Sequence, residues 1–173
     1  MKKSKEIAFL GLITALGAVC LLLGSIVGVL DISCAVLSSL LLIICFEELR
    51  WKSVLVYLAT LVISFCYTFF ASPLPAMEYA IFALFPLLMP LFNRLPKILG
   101  YIVKALYALL ASALTVALMY FFVPGSIEKP YMLAVYVLVY VVVIVLFDLL
   151  IARFRRYYFF KLRHALRIYR FFK

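Results

Sequence analysis

Long runs of apolar residues, separated by short segments that carry charge, proline or glycine, occupy most of this 173-residue chain. Backbone in lipid must satisfy its hydrogen bonds internally, and a helix of about 20 apolar residues does so across the ~30 Å hydrocarbon core. Six runs approach this length. The sequence therefore predicts six transmembrane helices, with boundaries near residues 6–23, 26–46, 53–70, 78–92, 99–122 and 131–151.

The amount of apolar side chain excludes a soluble protein of this size. Hydrophobic residues make up 69% of the chain and charged residues 14%, and a soluble domain could not bury so large an apolar fraction. We therefore expect an all-α integral membrane protein, with one six-helix domain over residues 1–151 that contacts membrane lipid.

The positions of the basic residues predict the orientation of the spans. Six spans put both termini on one side, and if that side is the cytoplasm, only Lys129 of the 17 Lys and Arg residues lies outside. Cytoplasmic loops are enriched in Lys and Arg, so we expect a multi-pass protein of the cell membrane with cytoplasmic N and C termini. This distribution explains the net charge of +10 without a nucleic-acid partner.

The adjacent Glu47 and Glu48 in the segment CFEELRWK invite comparison with the intramembrane metallopeptidases related to CAAX-processing enzymes. In that motif an Arg follows the second Glu by four residues, whereas Arg50 follows it by two, and the only histidine is His164 in the tail. No His and carboxylate spacing fits a metal site, and no phosphate-binding glycine loop or nucleophile elbow is present. We expect no metal, no cofactor and no enzymatic activity. The two glutamates are expected to pair with a nearby base, namely Arg50, Lys52 or Lys104.

Two of the predicted spans are irregular. Asp31 lies five residues into the second apolar run. An ionised Asp near the centre of a membrane helix costs roughly 2.5 to 3.5 kcal/mol on insertion scales. The chain avoids this cost if a helix begins at Asp31 with that residue as its N-cap, and if the preceding GSIVGVL forms an outer loop that dips into the protein. The fourth span carries Pro86 and Pro90, which interrupt helical hydrogen bonding. Interrupted spans are typical of transporter binding sites, although proline is also common in ordinary membrane helices.

Asp148 and Lys104 are ionisable residues inside the sixth and fifth spans, at similar depth on the inner side. A structural ion pair, or extension of the Lys104 side chain to the interface, is the simpler interpretation. Proton coupling is the functional alternative.

The segment after the sixth span, residues 152–173, is strongly basic and aromatic. Rings and bases each recur at steps of three or four residues, which predicts an amphipathic helix with one aromatic face and one basic face. Such a helix is expected to lie in the inner headgroup layer and to bind anionic lipid, with a partner's acidic surface as the alternative target.

Small residues recur one helical turn apart on the first span, at Gly11, Ala15 and Ala18. Spacing of this kind lets a second helix approach closely. The partner helix lies either within this chain or in another membrane protein.

Two segments, VLDISCAVLSSLLLIICFEELRWK from residue 29 and SPLPAMEYAIFALFPLL from residue 72, carry a family resemblance. Together with six short spans and a small-residue first helix, they resemble the substrate-binding S components of energy-coupling-factor (ECF) transporters of bacterial inner membranes. The matching polar positions are Asp31, Glu48, Trp51 and Lys52. The resemblance implies a subunit that captures a vitamin-like small molecule at the outer side and docks on a coupling membrane protein driven by two ATPases.

The resemblance also implies roles for individual residues. Docking would use the small-residue face of the first helix, formed by Gly11, Ala15 and Ala18. Candidate substrate-binding residues lie at the outer ends of the spans, at Asp31, Ser33, Ser72, Glu78, Tyr79 and Glu128. Helix capping and the helix dipole offer a purely structural explanation for the carboxylates of Asp31 and Glu78.

Two other functions remain open from the sequence. One is a structural or scaffolding multi-pass membrane protein without transport activity, similar to the rod-shape-determining membrane subunits. The other is a membrane enzyme or proton-coupled carrier centred on Asp148 and Lys104.

Overall fold

The computed structural model describes residues 2–68, 72–122 and 130–163, and over these residues it is helical with no strand. Six α-helices form a bundle: α1 (Lys2–Ile26), α2 (Asp31–Leu49), α3 (Ser53–Thr68), α4 (Leu74–Phe92), α5 (Lys97–Phe122) and α6 (Pro130–Tyr157). Short 3₁₀ turns occupy Gly28–Leu30 and Arg50–Lys52, and a π-helical turn, Tyr158–Leu162, continues α6. The all-α prediction is confirmed. The candidate residue Glu128, and the tail from His164 onward, lie outside the described residues.

Five helical stretches of the described chain are long and apolar enough to cross a membrane. They are Ser4–Ile26, Gly28–Tyr67, Leu74–Phe92, Lys97–Phe122 and Tyr131–Leu162. Large apolar side chains such as Leu55, Leu110 and Leu138 are exposed on the outside of the bundle, where lipid is the only solvent that accepts them without a hydrophobic penalty. The protein is therefore a membrane protein that contacts lipid. The number of crossings and the side of each terminus remain predictions.

The stretch Gly28–Tyr67 is a hairpin of two helices, α2 and α3, and not one rod. A Cβ placed on Gly17 of α1 would lie 2.9 Å from Ser38 Oγ of α2 and 3.2 Å from Thr60 Cγ2 of α3. In one straight helix, Ser38 and Thr60 would be about 33 Å apart at 1.5 Å per residue. The chain reverses at Arg50, which has a positive φ of 47°.

The six helices alternate in direction, so the bundle has two chemically distinct ends. At the first, α1, α3 and α5 begin, and α2, α4 and α6 finish; we call it the ion-paired end. At the second, α1 finishes close to the starts of α2 and α4. A Cβ placed on Gly24 of α1 would lie 3.0 Å from Cys34 Cβ and 3.4 Å from Pro75 Cβ. We call this second end the carboxylate end.

Helix α4 lies at the centre of the bundle. Its aromatic side chains Phe82 and Phe85 are almost completely buried and pack on Phe147 of α6, with ring centroids 5.5 and 6.3 Å away. The hydroxyls of Tyr57 and Tyr107 donate to the backbone carbonyls of residues 80 and 81, at 3.0 and 2.5 Å. These bonds attach α4 to α3 and α5 just before Pro86.

Two helix boundaries near the carboxylate end, and the N-cap of α2, differ from the prediction. Helix α4 begins at Leu74 and not at residue 78, because Pro75 falls in the first turn, where the missing N–H costs nothing. Helix α1 continues to Ile26, and Val29 is 94% exposed, so the expected loop does not dip into the protein. Helix α2 does begin at Asp31, but its N-cap is Leu30 and no side chain caps it. Asp31 is therefore not the capping residue.

Candidate functional site

Glu78 is the most deeply buried charged side chain of the described residues, with 2% of its surface exposed. It lies near the start of α4, and the hydroxyl of Tyr140 on α6 donates to its Oε1 at 2.6 Å. Its other oxygen, Oε2, is buried and has no hydrogen-bond partner among the described residues. A carboxylate can accept about four hydrogen bonds, so the site leaves most of this capacity unused.

Asp31, the first residue of α2, is the second acidic residue of the carboxylate end. Its side chain is half-buried, and its Oδ1 is fully buried without a partner in the described chain. Asp31 lies within electrostatic range of both Glu78 and Tyr140. The starts of α2 and α4, held together beside Gly24, thus bring two like charges into one environment.

The other predicted substrate-binding residues take different positions. Tyr79 is 1% exposed, and its ring lies 5.8 Å from that of Tyr57, so it belongs to the core beside α3. Ser33 is exposed and Ser72 is half-buried. The structure therefore brings together Asp31 and Glu78 from the predicted set.

Sequence reasoning missed Tyr140. It lies within a run of valines and leucines on α6, where nothing distinguishes it from Tyr131 or Tyr136. Its role follows from the rotation of α6 against α4, which a single sequence does not specify.

The small-residue face of α1 is not used for packing within the described chain. Gly11 and Ala15 are exposed, and Ala18 is half-buried. A Cβ on Gly11 would meet no atom within 4 Å. The close helix contacts of α1 are instead made at Gly17 and Gly24.

The glutamate pair of α2 lies at the ion-paired end and faces the last part of α6 and the turn that follows it. Glu47 forms an ion pair with Arg155, and Glu48 accepts a hydrogen bond from Tyr158 at 2.7 Å and pairs with Arg163 at 2.9 Å. The expected pairing with Arg50, Lys52 or Lys104 is wrong. Because α2 extends to Leu49, both glutamates lie in its last turn, and Lys52 instead pairs with Glu6 of α1.

Lys104 and Asp148 form the ion pair that their similar depth predicts. The Lys104 Nζ lies 3.0 and 2.9 Å from the two carboxylate oxygens of Asp148, and 5.9 Å from the centroid of the Phe85 ring. Both side chains are less than one-third exposed. This geometry is that of a structural bridge between α5 and α6.

The aromatic face of the first part of the tail packs on α2, while Phe159 and Phe160 are exposed on the outside of the bundle. Tyr158 is 1% exposed and packs with Ile44, while Phe154 and Leu162 contact the same cluster. The predicted aromatic face, as far as residue 163, is therefore directed at α2. This part of the predicted interfacial helix is a continuation of α6.

Two concave regions lie elsewhere on the bundle. A cavity of about 180 Å³ at the α4–α5 turn is lined by Asn93, Lys97 and Lys104 among others. An apolar groove between α5 and α6 is lined by Leu109, Leu133 and Val137 among others. Within the described residues, no group of three or more His, Cys, Asp or Glu side chains could hold a metal ion.

Comparison of the chain with protein-family models, with curated proteins and with solved structures finds no match.

Proposed function

We propose that this protein is a non-enzymatic substrate-capture subunit of a membrane transporter, acting as the S components of ECF transporters do. The observation that carries the proposal is Glu78, which is almost fully buried, is oriented by Tyr140 and keeps one unpartnered oxygen. A buried polar group without a partner costs stability, and such groups in membrane bundles are typical of binding sites. The captured molecule is a small, vitamin-like compound that binds at the carboxylate end.

The exposed face of α1 supports a docking role. Gly11 and Ala15 present a shallow surface that no part of the described chain covers. Small residues favour close helix approach in membranes, where van der Waals packing drives association. The proposed partner is a coupling membrane protein that carries ATPase subunits.

The proposed orientation has six crossings, with the ion-paired end in the cytoplasm. Apart from Lys104, which lies inside α5, the bases of the described residues belong to the helix ends and turns of that end, as expected for the cytoplasmic side of a cell-membrane protein. The carboxylate end then faces the outside, where a substrate would arrive.

Affinity purification from the native cell in mild detergent tests this function. We expect the wild-type protein to retain a second membrane protein and ATPase subunits. Ala15→Trp should reduce their recovery at least tenfold, because the indole prevents close helix approach. Ala113→Trp, at an exposed site on α5, is the matched control and should retain the partners. Recovery of the wild-type chain without any partner would contradict the proposal.

A scaffolding role is the second candidate, and the ion-paired end favours it. The ion pairs of Glu47 with Arg155 and of Glu48 with Arg163 give that end a defined surface on which another protein could assemble. A scaffold needs no small molecule. Native mass spectrometry that shows partner proteins but no retained ligand would favour this second function.

A further inference from the structure

The acidic residues of the described chain fall into two groups. Four of the six acidic residues in ranges 2–68, 72–122 and 130–163 form ion pairs, at Glu6, Glu47, Glu48 and Asp148. The other two, Asp31 and Glu78, each have a buried oxygen without a partner in these ranges. They are also the two that lie at the carboxylate end.

The basic residues of the described chain are all distant from this pair. They lie at the start of α1, at the α2–α3 turn, around the α4–α5 turn and in the last part of α6 with its extension. All of these positions belong to the ion-paired end. Lys129 is the remaining base of the chain, and it lies outside the described residues.

Glu78 is held as a hydrogen-bond acceptor. The Tyr140 hydroxyl donates to Oε1 at 2.6 Å, and a hydroxyl that donates to a carboxylate stabilises its charged form. An ionised carboxylate buried without a counter-charge costs several kcal/mol. Burial and the neighbouring Asp31 both oppose that charged form, and a cation between the two carboxylates would offset both effects.

We propose that Asp31 and Glu78 together bind one monovalent cationic group at the carboxylate end, with Tyr140 positioning the Glu78 carboxylate. The group is either the ammonium of the captured molecule or an inorganic Na⁺ or K⁺. Within the described residues, these two carboxylates belong to no group of three or more His, Cys, Asp or Glu side chains that could hold a metal ion, which argues against Ca²⁺, whose sites supply six to eight oxygen ligands. The identification of the ligand as part of a substrate rests on the proposed function, whereas cation binding itself does not require a transport partner.

Thermal unfolding of the purified full-length protein in a non-ionic detergent tests this site. Tetraethylammonium chloride, whose quaternary nitrogen carries no N–H and is enclosed by four ethyl groups, is replaced stepwise at constant ionic strength by NaCl, KCl or methylammonium chloride. At least one small cation should raise the unfolding midpoint saturably, by about 5 to 11 °C near a hundredfold excess over Kd. Methylammonium alone indicates an amine ligand, and Na⁺ or K⁺ alone indicates an inorganic ion.

Variants separate the site from general salt effects. Glu78→Gln and Asp31→Asn should each abolish the saturable rise, and Tyr140→Phe should increase the apparent Kd at least fivefold. Arg156→Ala, at an exposed base of the ion-paired end, should respond as the wild type does. If Glu78→Gln does not fold, Asp31→Asn, at a half-buried position, replaces it in the test. Binding of radiolabelled ²²Na⁺ or methylammonium to the wild type is then measured as well, and we expect one bound cation per chain.

Three outcomes would overturn the proposal. The first is a wild-type midpoint that no small cation changes. The second is an equal rise in the Asp31→Asn or Glu78→Gln variant. The third is a response that appears only in Lys129→Ala, because the chain's own ammonium would then occupy the site. Partner recovery is measured separately, so failure of cation binding is distinguishable from failure of the transport function.

Discussion

The acidic residues at the two ends of the bundle have different partners. At the ion-paired end, Glu47 pairs with Arg155 of α6, and Glu48 pairs with Arg163 just after the turn that continues α6. At the carboxylate end, Glu78 is more deeply buried than either of these glutamates, yet its described polar partner is a neutral tyrosine. Both ends belong to one bundle in one membrane, and this difference is the basis of our proposal that the first end serves stability and the second binds a ligand.

Removing a charged side chain should change the stability of the protein in opposite directions at the two ends. A buried ion pair is broken at high cost, since one charge then remains buried without compensation. An unpaired buried carboxylate already carries the cost of an uncompensated buried charge. Replacing that carboxylate by a neutral group should therefore stabilise the ligand-free protein. Substitutions at the two ends should therefore change the free energy of unfolding with opposite signs.

The largest effect is expected at Arg155. Its removal leaves Glu47, whose side chain is 12% exposed, without a counter-charge. Arg155→Ala should lower the free energy of unfolding by about 3 kcal/mol, measured by chemical or thermal unfolding in detergent. Arg156→Ala, one residue further and exposed, is the control and should change stability by less than about 0.5 kcal/mol. Equal effects of the two substitutions would show that the ion pair contributes little.

Gly17 gives the next largest effect, on the packing between the two ends. Gly17→Ala would place a Cβ 2.9 Å from Ser38 Oγ, so α1 and α2 must separate or Ser38 must move. We expect a loss of about 1 to 2 kcal/mol of unfolding free energy. Gly11→Ala is the matched substitution in open space and should be neutral or stabilising by up to about 1 kcal/mol. A destabilising Gly11→Ala together with a neutral Gly17→Ala would contradict the described packing of α1.

Glu78→Gln should have a smaller effect of opposite sign. Without added cation, the substitution removes the buried charge and keeps an oxygen that can accept from Tyr140, so stability should increase by about 1 kcal/mol. Unfolding in tetraethylammonium buffer measures this increase. Glu47→Gln at the ion-paired end is the control and should destabilise the protein. A loss of stability in Glu78→Gln comparable to that in Glu47→Gln would mean that the two ends are equivalent.

The smallest effect is expected at the exposed edge of the ion-paired end. Lys52 pairs with Glu6, but 52% of its side chain is exposed, and such surface pairs contribute about 0.2 to 1 kcal/mol. Lys52→Ala should therefore lower the unfolding free energy by less than about 1 kcal/mol. Raising NaCl from 50 to 500 mM should reduce the difference further, whereas an effect as large as that of Arg155→Ala would place the pair in a buried environment.

Hydropathy predicted the helices well, because each apolar run must form internally hydrogen-bonded backbone. The Lys104 and Asp148 pair was also predictable, since the two charges lie at equal depth on consecutive spans. The partners of Glu47, Glu48 and Glu78 were not predictable, because they depend on how α6 rotates against α2 and α4. The start of α4 was missed because Ser72, Pro73 and Pro75 favour a connection before residue 78. Pro75 is nevertheless compatible with the first turn of a helix.

The central claim is that the carboxylate end holds a ligand whereas the ion-paired end is structural. Native mass spectrometry of the gently solubilised protein tests this most directly, by comparing the wild type with the double variant Asp31→Asn, Glu78→Gln. The account predicts one small ligand or cation per wild-type chain, absent from the double variant and retained in Arg156→Ala. An identical bound mass in the double variant, or none on the wild type in any mild detergent, would contradict it.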